Sequence, residues 1–313
     1  MNDEEAQARA EFYRNIVYLN KAYNLGEINV VAKDLAYFAG IFDTEVYYSI
    51  GEPYTLYLSY NKQNRELLKS LSNSFGGKIS RVKMQPYHSK QVWVWHLSSN
   101  PAYKVLKKIH PFLRIKRERA RLCTECYERC AIKGLSLAEK HKIGDSYREL
   151  LHNCQTAPEQ RFNYFGLPHL KIAYLAGLSD VASAFVITEH RDRNTYLLEV
   201  VYRQTDYETL EFIQHTFGGK IRLASKSKLN KKDVWEIKYA SQKAYAILQQ
   251  IYPYLKAQKR AADLCMQFQE GYWLGITGRE VSPERKAIGA KYANLLRSYH
   301  LKWRSRAIVS KHQ

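Results

Sequence analysis

Acidic residues, cysteines and long apolar runs are all scarce in this 313-residue sequence. No stretch of about 18 uncharged apolar residues occurs, which argues against a membrane-spanning helix. The N-terminus, Met1 to Glu5, is acidic and lacks the apolar core of a signal peptide, so we do not expect secretion. We therefore expect an intracellular protein without a membrane partner, and an organelle (plastid or mitochondrion), a bacterium and a phage all stay open as its setting.

The chain contains five cysteines, an odd number that favours reduced thiols over a disulfide framework. The spacing Cys123-x2-Cys126-x3-Cys130 is similar to that of metal ligands. However, the surrounding run is typical of a helix, and no second ligand pair follows at zinc spacing. We interpret these cysteines as core residues.

Basic residues dominate the charge. Lys and Arg total 49 against 30 Asp and Glu, which gives a formal net charge of +19. Such an excess is typical of proteins that bind nucleic acid or an anionic membrane surface. The 25 tyrosines suit contacts with phosphates and bases as well as packing in a core.

An internal repeat organises the chain. Phe75-Gly76-Gly77-Lys78-Ile79 and Phe217-Gly218-Gly219-Lys220-Ile221 are 142 residues apart. The same offset relates Val92-Trp93 to Val234-Trp235 and Leu122-Cys123 to Leu264-Cys265. A constant offset over so many matches indicates a duplication, in which each copy alternates helices with strands.

A shared helical stretch opens each copy, at residues 35–49 and 173–183. Each carries a small-residue pair, Ala39-Gly40 or Ala176-Gly177, that would let two helix backbones pack closely. Each ends near an acid, and paired acids at such ends could hold divalent metals for phosphodiester hydrolysis. Solvated acids beside a buried helix pair are the alternative.

These two stretches resemble the signature of the LAGLIDADG homing endonucleases and maturases, in their single-chain form with two motifs. Leu175-Ala176-Gly177-Leu178 matches its first four letters, and residues 38–45 follow it with conservative changes. The resemblance implies an α/β fold of the α+β type, with two αββαββα-like modules about a pseudo-twofold axis. Their motif helices would pack at the centre, and their antiparallel sheets would form a DNA-binding saddle.

We divide the chain into a lead-in helix (1–34), a first module (35–135), a linker with a helix (136–172), a second module (173–270) and a C-terminal helix with a basic tail (271–313). His110-Pro111 is predicted to start one helix that reaches Cys130. The stretch from Arg297 to Gln313 is predicted to be poorly ordered. The lead-in helix is predicted over residues 5–19.

The resemblance places the metal-binding acid two residues after the first Asp of each motif. That position is Glu45 in the first copy and Ala182 in the second, with Asp180 as the nearby acid that could replace it or serve a helix end. The family also has a basic residue early in the helix that begins Pro-x-Leu, and here Lys116 and Gln258 hold that position. We take Glu45, Lys116 and Gln258 as catalytic positions and Glu45 and Asp180 as metal positions.

Strand alternation indicates which side chains face a nucleic-acid groove. For each of them a solvated strand face is the alternative to a base contact. The candidate DNA-binding residues are Tyr47, Ser49, Arg81, Lys83, His96, Arg203, Lys226, Glu236 and Lys238.

The implied function is that of a monomer that binds a long, specific double-stranded DNA site. Because Ala182 cannot hold a metal, we expect Mg²⁺-dependent cleavage to be reduced to nicking or lost. The alternatives are a fully active intron-encoded homing endonuclease and an RNA-binding splicing maturase of group I introns. The positive charge suits all three, since phosphate contacts dominate affinity for either nucleic acid.

Overall fold

A computed structural model describes residues 32–52, 55–62, 65–82, 92–154, 168–190, 195–226, 233–273 and 282–309. The predicted lead-in helix and Lys83 lie outside the described residues. The chain divides into two compact units, residues 1–174 and 175–313.

The first unit contains one antiparallel sheet in the order β1-β2-β4-β3. Its elements are α1 (Ala32–Thr44), β1 (Tyr47–Gly51), β2 (Thr55–Lys62), α2 (Arg65–Phe75), β3 (Lys78–Arg81), β4 (Trp93–Ser98), α3 (Ser99–Ile109), α4 (Arg117–Cys130) and α5 (Leu137–Asn153).

The second unit repeats this plan, with a sheet in the order β5-β6-β8-β7. Its elements are α6 (Pro168–Ala182), within which the unit boundary falls, β5 (Ser183–His190), β6 (Thr195–Gln204), α7 (Tyr207–Phe217), β7 (Ile221–Ser225), β8 (Val234–Ala240), α8 (Ser241–Ile251), α9 (Lys259–Trp273) and α10 (Pro283–Val309). The predicted αββαββα order and the two antiparallel sheets are confirmed.

Each sheet buries one face against helices, as period-2 alternation requires. Leu56, Leu58 and Tyr60 of β2 are buried, and so are Trp95 and Leu97 of β4. In the second sheet, the buried face includes Tyr202, Ile237 and Tyr239. The opposite face of each sheet is thereby left to polar side chains.

The repeated Phe-Gly-Gly ends α2 and α7 in the left-handed backbone region, with φ of 73° at Gly76 and 93° at Gly77. A Cβ at Gly77 would lie 2.8 Å from the carbonyl oxygen of His96, so a larger residue would displace β4. Trp95 Nε1 donates to the carbonyl of Gly76 at 2.8 Å. In the second unit Tyr239 Oη donates to the carbonyl of Gly218 at 2.7 Å.

One prediction of helix extent is wrong. The run from His110 to Cys130 is a 3-10 turn (His110–Phe112), a break and then α4, because Asp43 binds the backbone N–H groups exposed in the break. The helix α10 extends to Val309, and the poor order predicted after Arg297 stays a prediction.

Four of the five cysteines lie in the buried core, as the packing interpretation predicts, and Cys154 is half-buried at the end of α5. Cys123, Cys126 and Cys130 of α4 and Cys265 of α9 are all buried as free thiols. Burial raises the pKa of Cys126 to about 12, which keeps this thiol protonated at neutral pH. Within the described ranges, no helix is long and apolar enough to cross a membrane.

Candidate active site at the ends of the motif helices

Asp43 lies in the last turn of α1, where only 2% of the residue is exposed. Its carboxylate accepts hydrogen bonds from the backbone N–H of Arg114 at 2.7 Å and of Lys116 at 2.8 Å. The hydroxyl of Tyr174, the last residue of the first unit, donates to it at 2.8 Å. Burial raises the pKa of Asp43, and these hydrogen bonds oppose that rise. Asp43 therefore anchors the start of α4 to the end of α1.

Asp180 makes the same anchor in the second unit, 4% exposed at the end of α6. It accepts from the backbone N–H groups of Lys256 at 2.7 Å, Ala257 at 3.0 Å and Gln258 at 2.7 Å. These donors precede α9 and have no partner within their own helix. The contacts favour the helix-end role for Asp180, and its role as a metal ligand stays a prediction.

Lys116 sits at the N-cap of α4, and its side chain returns to the end of α1. Its ammonium group donates to the carbonyl oxygens of Phe42 at 3.3 Å, Thr44 at 3.2 Å and Val46 at 3.0 Å. The last carbonyls of a helix lack intrahelical partners and carry partial negative charge, so a cation here stabilises the helix end. Lys116 thus holds the segment that contains Glu45.

Gln258 repeats this contact without the charge. Its amide Nε2 donates to the carbonyl oxygens of Ser179 at 2.7 Å and Ser183 at 3.1 Å. In the repeat these correspond to Phe42 and Val46. The sequence indicated only that a lysine was missing at this position, whereas the amide keeps two of the three carbonyl contacts.

These paired anchors fix the correspondence between Glu45 and Ala182, each two residues after its aspartate. Glu45 is half-buried and follows directly on α1, with its N–H donating to the carbonyl of Ile41 at 2.9 Å. Ala182 is half-buried at the end of α6. Among the described residues, no group of three or more His, Cys, Asp or Glu could hold a metal.

The predicted small-residue pairs of the motif helices are buried. Ala39 and Ala176 are both 0% exposed, and Gly40 and Gly177 are buried beside them. Packing of one motif helix against the other stays a prediction.

The polar face of the first sheet carries a row of side chains across all four strands. Tyr47 pairs with Ser59, Ser59 with His96, and His96 with Lys78. Tyr47 is 74% exposed, and Ser49, two residues further along, is exposed on the same face.

Arg81 occupies the other face of the first sheet. It pairs with Trp93 and therefore points to the side that carries Trp95, away from His96. The two side chains consequently cannot share one groove-facing surface, although each contact with DNA separately stays a prediction.

Ion pairs hold the candidate side chains of the second sheet. Arg203 Nε donates to Glu236 at 2.9 Å, and Lys238 Nζ lies 2.6 Å from Glu199. Lys226 is exposed just after β7. Sequence reasoning missed Glu199, which lies inside an apolar run. Its even spacing from Arg203 is the signal that would have placed it on the same face of the strand.

Comparisons with known proteins identify the fold. I-GzeII, a LAGLIDADG homing endonuclease solved in complex with a DNA target, matches with a TM-score of 0.61 and 13% identity, over 83% of this chain and 97% of its own. The meganuclease I-SmaMI, solved bound to uncleaveable DNA, matches with a TM-score of 0.53 and 18% identity, over 85% and 97%. No protein-family model and no curated protein matches the sequence. The chain has the single-chain, two-domain fold of the LAGLIDADG homing endonucleases.

Proposed function

We propose that this protein binds a long, specific site in double-stranded DNA as a monomer, and that its Mg²⁺-dependent cleavage is reduced to nicking of one strand or is lost. The observation that carries the proposal is the difference between Glu45 and Ala182. Both residues lie at the ends of motif helices that are anchored in the same way, and at this position only Glu45 supplies a carboxylate.

The residues at the first helix end suit magnesium. Mg²⁺ prefers hard oxygen ligands and is held in many enzymes by one or two carboxylates together with substrate phosphates. Glu45 would hold it, because Asp43 is already occupied by three donors. When bound, the ion would supply an activated water and charge stabilisation at the leaving oxygen. Ala182 offers no oxygen from its side chain.

Lys116 and Gln258 act in this proposal as positioning residues. Lys116 donates to the carbonyls on both sides of Glu45, those of Thr44 and Val46. It therefore fixes the backbone from which the Glu45 carboxylate projects. Gln258 fixes the corresponding backbone around Ala182.

The charge and the polar sheet faces support DNA as the partner. A net charge of +19 favours contacts with phosphates, whose strength falls as salt rises. The row from Tyr47 to Lys78 offers polar and aromatic groups for base edges, with its two end members exposed. The two similar structures were each solved with DNA, although at 18% identity or less they carry the fold alone.

A plasmid assay tests the proposal. The DNA that flanks the insertion site of this gene, rejoined, is cloned into a supercoiled plasmid and incubated with the protein and Mg²⁺. We expect a specific gel shift together with nicked circles or intact plasmid. Rapid conversion to linear DNA would contradict the impaired cleavage. The absence of both shift and cleavage would contradict DNA binding and direct the same assay to folded intron RNA.

Glu45→Gln is the matched control for nicking. It removes the carboxylate charge but keeps the size of the side chain. Nicking that persists in Glu45→Gln would contradict the role of Glu45.

A further inference from the structure

We propose that Arg203 reads a guanine in the bound duplex and that Glu236 is the positioning residue that fixes the guanidinium for this contact. The inference rests on the proposed function, since it requires DNA along the polar face of the second sheet. Specificity at one base pair then depends on this pair of side chains.

Arg203 and Glu236 form an ion pair that orients the guanidinium group. Arg203 on β6 lies directly opposite Glu236 on β8. Arg203 Nε donates to Glu236 Oε2 at 2.9 Å, with 66% of the arginine side chain exposed and 21% of the glutamate. The hydrogen bond engages Nε, the inner nitrogen of the guanidinium, while most of the arginine side chain stays exposed.

Two terminal nitrogens match the acceptors of one base. Guanine presents O6 and N7 in the major groove, and an arginine fork that donates to both is the commonest specific contact. A free arginine must lose rotamer entropy to make that contact. Glu236 removes part of this cost in advance. An exposed ion pair contributes little to stability, so orientation is the larger consequence of the pair.

The neighbouring residues single out this position. Lys238 on the same face is a point charge held by Glu199 and cannot form a fork. Arg222 on β7 pairs with Glu236 across the strand edge opposite to Arg203. The row therefore keeps a net positive charge beside the phosphates. In the first sheet, Val94 and Ser80 stand where Glu236 and Arg222 stand in the second. The guanine contact therefore belongs to the half of the target that the second unit covers.

The test measures base preference position by position. The rejoined target duplex and the set in which each base pair is replaced in turn are bound by wild type, Arg203→Lys, Glu236→Gln and Arg222→Ala at one fixed salt concentration. Arg203→Lys keeps the charge and loses the fork. We expect it to reduce the preference for guanine at a single position by about 5- to 150-fold and to leave the other positions unchanged.

Glu236→Gln provides a readout that a merely structural role would not give. It removes a negative charge near DNA, so binding to unrelated duplex should stay equal or rise. We nevertheless expect the guanine preference at the Arg203 position to fall. Arg222→Ala, the control in the same row, should weaken binding to all sequences alike.

Four results would overturn the assignment. These are a full guanine preference in Arg203→Lys, an equal loss at every position in Glu236→Gln, a lost cytosine preference in Glu236→Gln with guanine unaffected, or a loss in Arg222→Ala at the same position as in Arg203→Lys. A wild-type protein without sequence-specific binding would instead refute the proposed function itself.

Discussion

Substitutions of Lys116 distinguish its role as a helix cap from a role of its charge in DNA cleavage. Methionine has a similar length but no donor, so Lys116→Met removes all three contacts to the end of α1. Glutamine can donate twice, as Gln258 does at the corresponding place in the second unit. Lys116→Gln therefore gives the first unit the residue that the second unit already has at this position.

The expected cost follows from the contacts. Losing a hydrogen bond from a charged donor costs about 1.5–3 kcal/mol, and losing a cation at a helix C-terminus costs about 0.3–1 kcal/mol. Since Lys116 is half-buried and its three contacts share one ammonium, we expect Lys116→Met to lower the free energy of unfolding by about 2–4 kcal/mol. Lys116→Gln should cost about 1–2 kcal/mol.

Urea unfolding of the full chain measures this loss, and amide exchange across Thr44 to Val46 locates it. We expect these amides to exchange fastest in Lys116→Met. Lys133→Met, at an exposed lysine just beyond α4, is the matched control and should stay within about 0.5 kcal/mol of wild type. Nicking by each variant is measured in parallel.

If Lys116 acts as a cap, two results are expected together. Lys116→Gln must keep exchange across Thr44 to Val46 closer to wild type than Lys116→Met does, and its nicking must follow its stability. If Lys116→Met unfolds like wild type, the three contacts do not hold the helix end. If Lys116→Gln is stable but does not nick, the charge of Lys116 acts in the chemistry, and positioning alone is refuted.

The remaining predictions concern the second unit and one half-buried histidine, His110. Ala182→Glu should raise Mg²⁺-dependent cleavage of the second strand, whereas Ala184→Glu, the same change at an exposed position two residues on, should not; equal effects would show that added charge alone is responsible. Asp180→Asn should lower the free energy of unfolding by about 2–4 kcal/mol, because an amide offers one acceptor to three N–H donors; unchanged stability would favour a metal role. Burial, together with neighbouring cations, lowers the pKa of His110 from 6.5 to about 4. The contribution of the neutral imidazole to the free energy of unfolding is therefore complete above pH 6.5, and it is lost at about 1.4 kcal/mol per pH unit as the pH falls toward 4. His110→Gln should flatten that part of the urea-midpoint profile, and an unchanged slope would contradict the assignment.

The sequence predicted the architecture because the signal for each helix and strand is local and occurs in both copies of the repeat. Alternation in β2 and β4 and the Phe-Gly-Gly stops depend on residues within one element, and the constant offset carried them from one unit to the other. Positive φ at two successive glycines is a backbone requirement that only glycine meets easily, so the stop could be recognised without a partner.

The break before α4 could not be predicted in this way. His110-Pro111 is a good helix start, and what interrupts the helix is Asp43, 71 residues away in sequence from Arg114. Likewise strand alternation alone assigned Arg81 to the groove-facing side, whereas its pairing with Trp93, across a stretch outside the described residues, places it on the other face. Contacts between distant segments decided both cases.

The second helix end differs from the first in charge and not in architecture. Asp180 accepts from the backbone donors that correspond to those of Asp43, and Gln258 donates to two of the three carbonyls that correspond to those of Lys116. A unit that had lost its anchors would have no defined position from which an acid could act. Here the anchors remain while Ala182 and Gln258 lack the carboxylate and the ammonium. The expected loss of cleavage therefore follows from one missing carboxylate on an intact frame, and this is why a single restored carboxylate is a fair test of it.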